Sequence, residues 1–308
     1  MNLPRELVNR FDIASAYDEN DWDPEKSRFN IAERAWLALG LALRETGDST
    51  YLETNFETAG PMPPAWPSTL RYIEQNCGGW HGVTSFAAQK GARKTTLATS
   101  CAIEAAASGN WQVVYFLAED DAHGLQDRLY NYGQHHPGSR DAVGSLHFFT
   151  VPMGVSRESL MMDITSAIDT SIDKPVLVVL DSINTIASLS HGNYLGKLHD
   201  LGLWAMMARR ISRGAASFML VSETNQRGQI KGANLGFWSD QVLEMKKAKD
   251  SQGIVELKLA KARRWGGEGP MGKYLRHYAA GRFYEPGEVP TQLRLVGGCQ
   301  PVDDDTMF

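Results

Sequence analysis

The sequence has few cysteines, no strong excess of charge and no long apolar run, and each absence argues against a class of protein. Its three cysteines are scattered along 308 residues, which argues against a disulfide framework or a zinc site and favours a reducing compartment. The formal net charge is −5, so any contact with nucleic acid must come from a local basic patch. No apolar run approaches the ~20 residues that span a membrane, and the first residues carry no signal-peptide pattern. We therefore expect a cytoplasmic protein with no membrane partner.

Glycine is also missing at two places in the most informative segment of the chain, residues 88–96. This segment follows a β-like run and opens a helical one, which is the setting of a phosphate-binding loop with the pattern G-x-x-x-x-G-K-[ST]. Ala88 stands where the first glycine of the pattern belongs, and Arg93 stands where the second belongs. A non-glycine residue forced into positive φ costs about 1–3 kcal/mol. The segment is therefore either a tolerated variant of the loop or a nucleotide site that is losing its activity.

The rest of this loop supplies the chemistry that binding of a triphosphate requires. Backbone N–H groups at a helix N-terminus attract an anion, a lysine contacts the terminal phosphates, and a hydroxyl group binds Mg²⁺. We therefore interpret the segment as a site for ATP and Mg²⁺, with Thr95 as a metal ligand, although the bare pattern is equally compatible with a surface loop. The candidate nucleotide-binding residues are Gly91, Ala92, Arg93, Lys94, Thr95 and Thr96.

Two acidic residues follow apolar, strand-like runs. Glu119 comes after residues 113–118, and Asp181 comes after residues 175–180. In a parallel sheet such residues lie at the carboxyl edge, where ligands bind. Glu119 could orient or deprotonate an attacking water and Asp181 could hold the water shell of Mg²⁺, but each could also simply neighbour or cap the next helix. Because the loop and both acids appear in the order that a P-loop ATPase requires, we expect a nucleotide-binding core.

After residue 80, short apolar runs alternate with helical stretches. This alternation predicts an α/β fold with a mostly parallel central sheet and helices on both faces. From about residue 240 the runs become strand-like and are joined by glycine-containing turns, which predicts C-terminal β-hairpins. The predicted strands are 81–87, 112–118, 145–151, 175–180, 217–222, 241–246, 254–260, 274–278 and 282–284, and the predicted helices are 95–108, 121–133, 157–170 and 195–213.

The chain divides near residue 70. The preceding part has an acidic start and a predicted helix that begins at the N-cap Asn30 and ends near Gly47. Residues 59–67 are rich in proline, which predicts a linker. We therefore expect a small helical N-terminal extension with its linker over 1–70, an ATPase core over 71–290 and a C-terminal tail over 291–308.

Four segments of the core resemble the RecA-like ATPases. Residues 115–121 and 125–129 are similar to the plasmid RepA-type hexameric helicases, which have a Glu-Asp pair after the second core strand. Residues 220–232 are similar to the loop after the fourth core strand in the RadA/Sms repair ATPases and in replicative helicases. Residues 257–266 are similar to the Lys-x-Arg hairpin of those same groups.

This resemblance implies a RecA-like P-loop NTPase core that assembles into rings or filaments, with ATP between neighbouring subunits. Glu119 would then serve the attacking water, and Asp181 would serve the Mg²⁺ ion. Lys261 and Arg263 would reach the γ-phosphate of the neighbouring subunit, as an arginine finger does. Glu223 departs from the family, because the relatives have a neutral or basic residue there that senses the γ-phosphate.

Two loops are candidates for contact with single-stranded DNA, because the corresponding segments of RecA-like proteins line the central path of the assembly. They span residues 188–195 and 225–236. The second loop has two basic residues, three glycines and no acid, which suits contact with backbone phosphates. Two basic residues are few, so ordinary solvated loops are the alternative. The candidate DNA-binding residues are Arg227, Lys231, His191 and Tyr194.

The sequence thus supports three functional hypotheses. The first is a DNA-acting, helicase-like RecA-like ATPase that works as a homo-oligomer with other proteins of replication, repair or a mobile element. The second is a RecA-like protein whose altered loop holds nucleotide as a structural or regulatory ligand for partner binding. The third is a small-molecule kinase, which the Lys-x-Arg hairpin argues against, because a lone kinase needs no finger from a neighbour.

Overall fold

A computed structural model describes the core of the chain. The described residues are 64–119, 122–152, 155, 157–171, 173–189, 194–224, 235–248, 254–263, 266–277 and 281–285. The predicted N-terminal helix and the C-terminal tail lie outside these ranges. Among the described residues, no helix combines the length and the apolarity needed to cross a membrane.

Helices and strands alternate along this core as the sequence predicts. The helices are α1 (Arg71–Cys77), α2 (Lys94–Ala107), α3 (Ala122–His135), α4 (Arg140–Val143), α5 (Arg157–Thr170), α6 (Ile183–Leu189), α7 (Tyr194–Ile211) and α8 (Leu235–Trp238). The strands are β1 (Val83–Ala88), β2 (Gln112–Leu117), β3 (His147–Thr150), β4 (Val176–Asp181), β5 (Ala216–Glu223), β6 (Gln241–Lys247), β7 (Ile254–Ala262), β8 (Gly269–His277) and β9 (Arg282–Tyr284).

In the described part of the chain, the strands form one sheet of nine in the order β3-β2-β4-β5-β1-β6-β7-β8-β9. The six strands from β3 to β6 are parallel to their neighbours. The last three strands run antiparallel to their neighbours, which confirms the predicted terminal hairpins. The α/β fold with a mostly parallel central sheet is therefore confirmed.

Side chains of the central strands alternate between two hydrophobic clusters, one on each face of the sheet. On β2, Tyr115 belongs to the cluster that packs against α2, whereas Val114 and Phe116 belong to the cluster that packs against α5, α6 and α7. Every residue of β4 is buried, because helices cover both faces. The helices on both faces are thus confirmed as well.

Four short helices were not predicted, and one loop was predicted too long. The segment 188–195 was expected to be a loop, but Ser188 lies in α6 and Tyr194 begins α7. Strand β8 begins at Gly269, five residues before the predicted start, because its pairing with β7 carries it across a stretch containing glycine and proline. Helices of four to seven residues are hard to predict because they offer too few turns for a periodic pattern.

The carboxyl edge of the sheet brings the predicted site together. Strands β1, β2, β4 and β5 all run in the same direction and end at this edge. Their neighbouring end residues are Ala88 beside Glu223 and Leu117 beside Asp181. The loop after β1 therefore lies on the same side of the molecule as the two acids expected from the sequence.

Candidate functional site

The loop between β1 and α2 is the segment that the sequence predicts to bind phosphate, and it lacks the two usual glycines of that pattern. Ala88 is the last residue of β1 and pairs with both β5 and β6, so its backbone is an ordinary strand backbone. Gly91 has φ +78°, and Arg93 has φ 64° and ψ 42°, which is the left-handed conformation that a glycine would adopt easily. The first substitution is thus free of backbone strain, and only Arg93 carries the expected penalty.

Helix α2 begins directly after this loop, at Lys94. No side chain caps its N-terminus, so its first N–H groups lack the usual side-chain acceptor. An uncapped helix N-terminus with a positive partial charge favours a bound anion. Lys247, at the end of β6, brings a second cation to the loop, since a methyl group added at Gly91 would lie 2.7 Å from its Nζ atom.

Lys94 and Glu119 form an ion pair at the centre of the site. The Lys94 Nζ atom donates to Glu119 Oε2 at 2.9 Å, and the lysine is buried. The hydroxyl groups of Ser182 and Thr185 both donate to Glu119 Oε1, the latter at 2.8 Å. Burial raises the pKa of Glu119, but the hydrogen bonds from Ser182 and Lys94 outweigh it and hold the pKa below its usual range. Glu119 is therefore held as an ionised carboxylate.

Asp181 lies beside this pair and is fully buried. Thr95 Oγ1 donates to Asp181 Oδ1 at 3.3 Å, and the Tyr115 hydroxyl donates to Asp181 Oδ2 at 2.7 Å. Burial raises the pKa of Asp181, and the hydrogen bond from Tyr115 and the charge of Lys94 oppose that rise. Burial, followed by the charge of Asp181, raises the pKa of Tyr115 well above its ordinary value, so the Tyr115 hydroxyl stays protonated and remains a donor.

These residues fit a magnesium ion bound together with a nucleotide. Mg²⁺ in such sites takes phosphate oxygens, one or two protein oxygens and several waters, so it needs no cage of protein ligands. Thr95 and Asp181 supply a hydroxyl and a carboxylate 3.3 Å apart at the start of α2. Within the described residues there is no group of three potential metal-ligating His, Cys, Asp or Glu side chains.

Lys261 and Arg263 lie away from this cluster, at the opposite edge of the sheet. Lys247 of β6 pairs with Val255 of β7, and Gln241 pairs with Ala262. Ala88, where the loop begins, pairs with Met245, and Lys261 pairs with Val242, so Lys261 lies three residues, or about 10 Å, towards the amino edge at ~3.3 Å per residue. Lys261 and Arg263 therefore lie towards the amino edge of the sheet, the edge opposite the loop.

The side chains of Lys261 and Arg263 instead donate hydrogen bonds to backbone carbonyl groups of α8, which is a single helical turn. Lys261 Nζ donates to the carbonyl oxygens of Gly236 at 2.5 Å and Phe237 at 3.3 Å, and Arg263 donates to the Phe237 carbonyl at 2.9 Å. Burial, with the neighbouring charge of Arg263, lowers the pKa of Lys261. The Phe237 side chain beside them is 64% exposed. Arg263 is exposed as well, whereas Lys261 is half-buried.

Several predicted positions have no described side chain. Arg227, Lys231 and His191 lie outside the described residues, and for Tyr194 only the helical backbone is described. Glu223 ends β5 beside Ala88, and its backbone N–H donates to Asn184 Oδ1 at 2.7 Å. Its backbone thus lies next to the loop that follows β1.

Sequence reasoning missed three polar residues of the site: Tyr115, Ser182 and Thr185. Ser182 directly follows Asp181, and Thr185 lies one helical turn further on, so proximity to the acid was a usable signal. Tyr115 lies two residues before the end of a buried strand, where it reads as a core residue. Its role becomes visible only when β2 is paired with β4.

Comparisons with known proteins agree with this fold. A sequence profile described as an AAA domain matches residues 64–220, just over half of the chain. No curated protein sequence matches the chain significantly.

Three solved structures share the fold at low sequence identity. A KaiC-like protein from the hyperthermophilic archaeon Pyrococcus horikoshii is 16% identical with a TM-score of 0.55, and the match covers 73% of this chain and 100% of that one. The RadB recombinase is 18% identical with a TM-score of 0.51, covering 70% and 97%. The ATPase domain of G40P is 14% identical with a TM-score of 0.57, covering 82% and 98%.

Proposed function

The chain belongs to the AAA domain family and has the fold of RecA-like P-loop ATPases, and from this premise we propose that it binds ATP with Mg²⁺ at residues 88–96 and hydrolyses it. One observation carries the proposal. Lys94 at the start of α2, Glu119 after β2 and Asp181 at the end of β4 lie together at one edge of the sheet. Lys94 and Thr185 donate hydrogen bonds to Glu119, and Thr95, next to Lys94, donates to Asp181.

Each of these residues has a role that follows from its position. The α2 N-terminus and Lys94 bind the β- and γ-phosphates, and Lys94 exchanges its contact with Glu119 for the phosphate oxygens. Glu119, still held by Ser182 and Thr185, then accepts a proton from water. The water oxygen bonds to the γ-phosphorus while the bond to the bridging oxygen breaks, which yields ADP and phosphate. Thr95 and Asp181 would hold the Mg²⁺ that neutralises the phosphate charge.

The two key side chains can be tested separately. We expect Lys94→Ala to abolish nucleotide binding, because it removes the cation at the helix N-terminus. We expect Glu119→Gln to bind ATP normally but to hydrolyse it at least ~100-fold more slowly, because it removes the proposed proton acceptor. The measurements are equilibrium binding of a fluorescent ATP analogue and phosphate release, with and without single-stranded DNA. Lys174 is an exposed lysine between α5 and β4, so Lys174→Ala is the control for the loss of one positive charge outside the site. Unchanged affinity in Lys94→Ala would contradict the proposed site.

A second candidate function follows from Arg93. An arginine with left-handed backbone geometry at the phosphate loop is compatible with a nucleotide that is held but not turned over, as a structural or regulatory ligand. If the wild-type protein binds ATP but releases no phosphate, with or without DNA, this second function replaces the first.

We also propose that the protein acts on single-stranded DNA as a homo-oligomer. Its fold is shared with a protein described as a recombinase, and its sequence resembles helicase and repair ATPases. Residues Arg227, Lys231, His191 and Tyr194 are the proposed DNA contacts, and stimulation of phosphate release by DNA in the same assay would support them. Other replication or repair proteins are further partners under this proposal.

The position of Lys261 and Arg263 supports action between subunits. They lie towards the edge of the sheet opposite the loop, and both side chains donate to carbonyl groups of α8 rather than to the loop of the same chain. They lie at an exposed corner with Phe237, where a neighbouring copy could bring its own nucleotide. We therefore propose them as the finger that contacts the γ-phosphate of the next subunit.

A further inference from the structure

The two oxygens of the Asp181 carboxylate have different partners. Oδ2 accepts a hydrogen bond from the Tyr115 hydroxyl at 2.7 Å, whereas Oδ1 faces Thr95 Oγ1 at 3.3 Å. Asp181 and Tyr115 are both completely buried. The shorter bond therefore holds one oxygen, and the other oxygen is directed towards the threonine at the start of α2.

The sheet register produces this arrangement. Leu117 of β2 is the direct partner of Asp181 on β4, and Tyr115 is the direct partner of Val179. Tyr115 is thus the diagonal neighbour of Asp181, a separation of about 7–8 Å that a long aromatic side chain can bridge. The Tyr115 ring also packs against Phe148 of β3 with its centroid 5.5 Å away. The ring is fixed on that side by packing, so its hydroxyl is a fixed donor.

We propose that Tyr115 is a positioning residue whose hydroxyl orients the Asp181 carboxylate so that Oδ1 serves the Mg²⁺ ion beside Thr95. The inference rests on the proposed function, because it concerns the metal that accompanies the nucleotide. Without this hydroxyl the carboxylate can rotate about its Cβ–Cγ bond and share both oxygens with other donors. Groups that orient metal-binding side chains contribute about 10–100-fold to metal affinity.

The test is the Mg²⁺ dependence of nucleotide binding, which requires no turnover. A fluorescent ATP analogue is titrated with protein at a series of Mg²⁺ concentrations and in EDTA. For Tyr115→Phe we expect the nucleotide affinity in EDTA to be unchanged, because Lys94 and the loop are intact. We expect the Mg²⁺ concentration that gives half of the maximal Mg²⁺-dependent gain in nucleotide affinity to rise about 10-fold.

The chain offers a matched control in Tyr132→Phe. Tyr132 is also a buried tyrosine, and its hydroxyl donates to the carboxylate of Glu104. Glu104 lies ten residues after Lys94 on α2, about 15 Å along the helix. Both variants lose a buried hydroxyl-to-carboxylate hydrogen bond, but only Tyr115→Phe should shift the Mg²⁺ dependence.

A double variant shows whether Tyr115 acts through Asp181. In an Asp181→Asn protein, the further change Tyr115→Phe should leave the Mg²⁺ dependence where Asp181→Asn alone puts it.

Three results would overturn the proposal. The first is a Mg²⁺ dependence in Tyr115→Phe that equals that of the wild type, and the second is an equal shift in Tyr132→Phe. The third is loss of nucleotide binding by Tyr115→Phe in EDTA, which would mean that Tyr115 only stabilises the fold. A wild-type protein that binds no nucleotide under any of these conditions would instead overturn the proposed function, and this inference with it.

Discussion

Arg93 takes a left-handed backbone conformation at the N-terminus of α2, which glycine adopts at little cost and other residues do not. The residues that follow Arg93 nevertheless lie where the proposed nucleotide site needs them, since Lys94 and Thr95 both reach their acidic partners. Arg93 therefore strains the backbone without displacing the groups that carry the chemistry. This strain is a local property of one residue and can be removed by one substitution.

We expect Arg93→Gly to raise the free energy of unfolding by about 0.5–1 kcal/mol, because the relieved strain exceeds the extra chain entropy of glycine. Turnover per bound nucleotide should stay within about twofold of wild type, since the phosphate loop already has its working shape. Thermal denaturation and phosphate release are the measurements.

Arg213→Gly is the matched control, because Arg213 is the other described non-glycine residue with positive φ and lies after α7, outside the site. A large rise in turnover for Arg93→Gly would show that the arginine side chain obstructs the site. A large fall would show that it contacts the phosphates.

At the scale of elements, the segment before α1 is attached to the core through a pair of tryptophans. The predicted linker includes Trp66, which is fully buried and exchanges backbone hydrogen bonds of 2.9 and 2.8 Å with Trp80. The two rings stack with centroids 5.7 Å apart, and Trp80 packs in turn on Phe86 of β1. Proline has no backbone N–H group to donate. The prolines of this segment are nevertheless compatible with its extended conformation, because the isolated bridge between Trp66 and Trp80 uses few backbone donors.

Trp66→Ala should therefore lower the free energy of unfolding by about 3–5 kcal/mol, because it removes a large buried aromatic side chain from the core. Chemical denaturation of the full chain measures this loss as a lower midpoint concentration. Tyr130→Ala removes an exposed aromatic residue of α3 and should change stability by less than ~0.5 kcal/mol. Equal midpoints for both variants would mean that Trp66 does not stabilise the core.

At the scale of the whole molecule, the phosphate loop and the Lys261–Arg263 pair lie at opposite edges of one sheet. A head-to-tail assembly places such edges against each other, so each nucleotide would contact two subunits. Within the described residues, Phe237 is the exposed aromatic beside the pair, and Lys261 and Arg263 both hold its carbonyl. The fold of a single chain is thus consistent with a site completed by a second copy.

Mixing two inactive variants tests this arrangement. Lys94→Ala lacks the phosphate lysine and Arg263→Ala lacks the finger, so neither protein alone should hydrolyse ATP. In an equal mixture about a quarter of head-to-tail interfaces combine an intact loop with an intact finger, and activity should recover accordingly. A mixture of Lys94→Ala with Glu119→Gln is the control, because both changes affect the same side of the interface and no intact site can form. No recovery, together with a monomeric mass in the presence of ATP, would contradict the oligomer.

The alternation of strands and helices was predictable from the sequence, and so were the positions of the loop after β1 and of the acids after β2 and at the end of β4. These features depend on short-range patterns: the spacing of apolar residues, a lysine and threonines at a helix start, and a carboxylate directly after an apolar run. Even the departure at Arg93 could be recognised as a position that requires a left-handed backbone. Residues close together along the chain determine these properties.

Contacts between distant segments were decided by the tertiary structure alone. Tyr115 reaches Asp181 because of the register between β2 and β4, and Ser182 and Thr185 reach Glu119 across 63 and 66 residues of chain. The direction of β7 placed Lys261 at the edge away from the loop, which no local pattern could indicate. Strand pairing of this kind depends on the packing of the whole sheet between its two layers of helices, and therefore on all of its residues together.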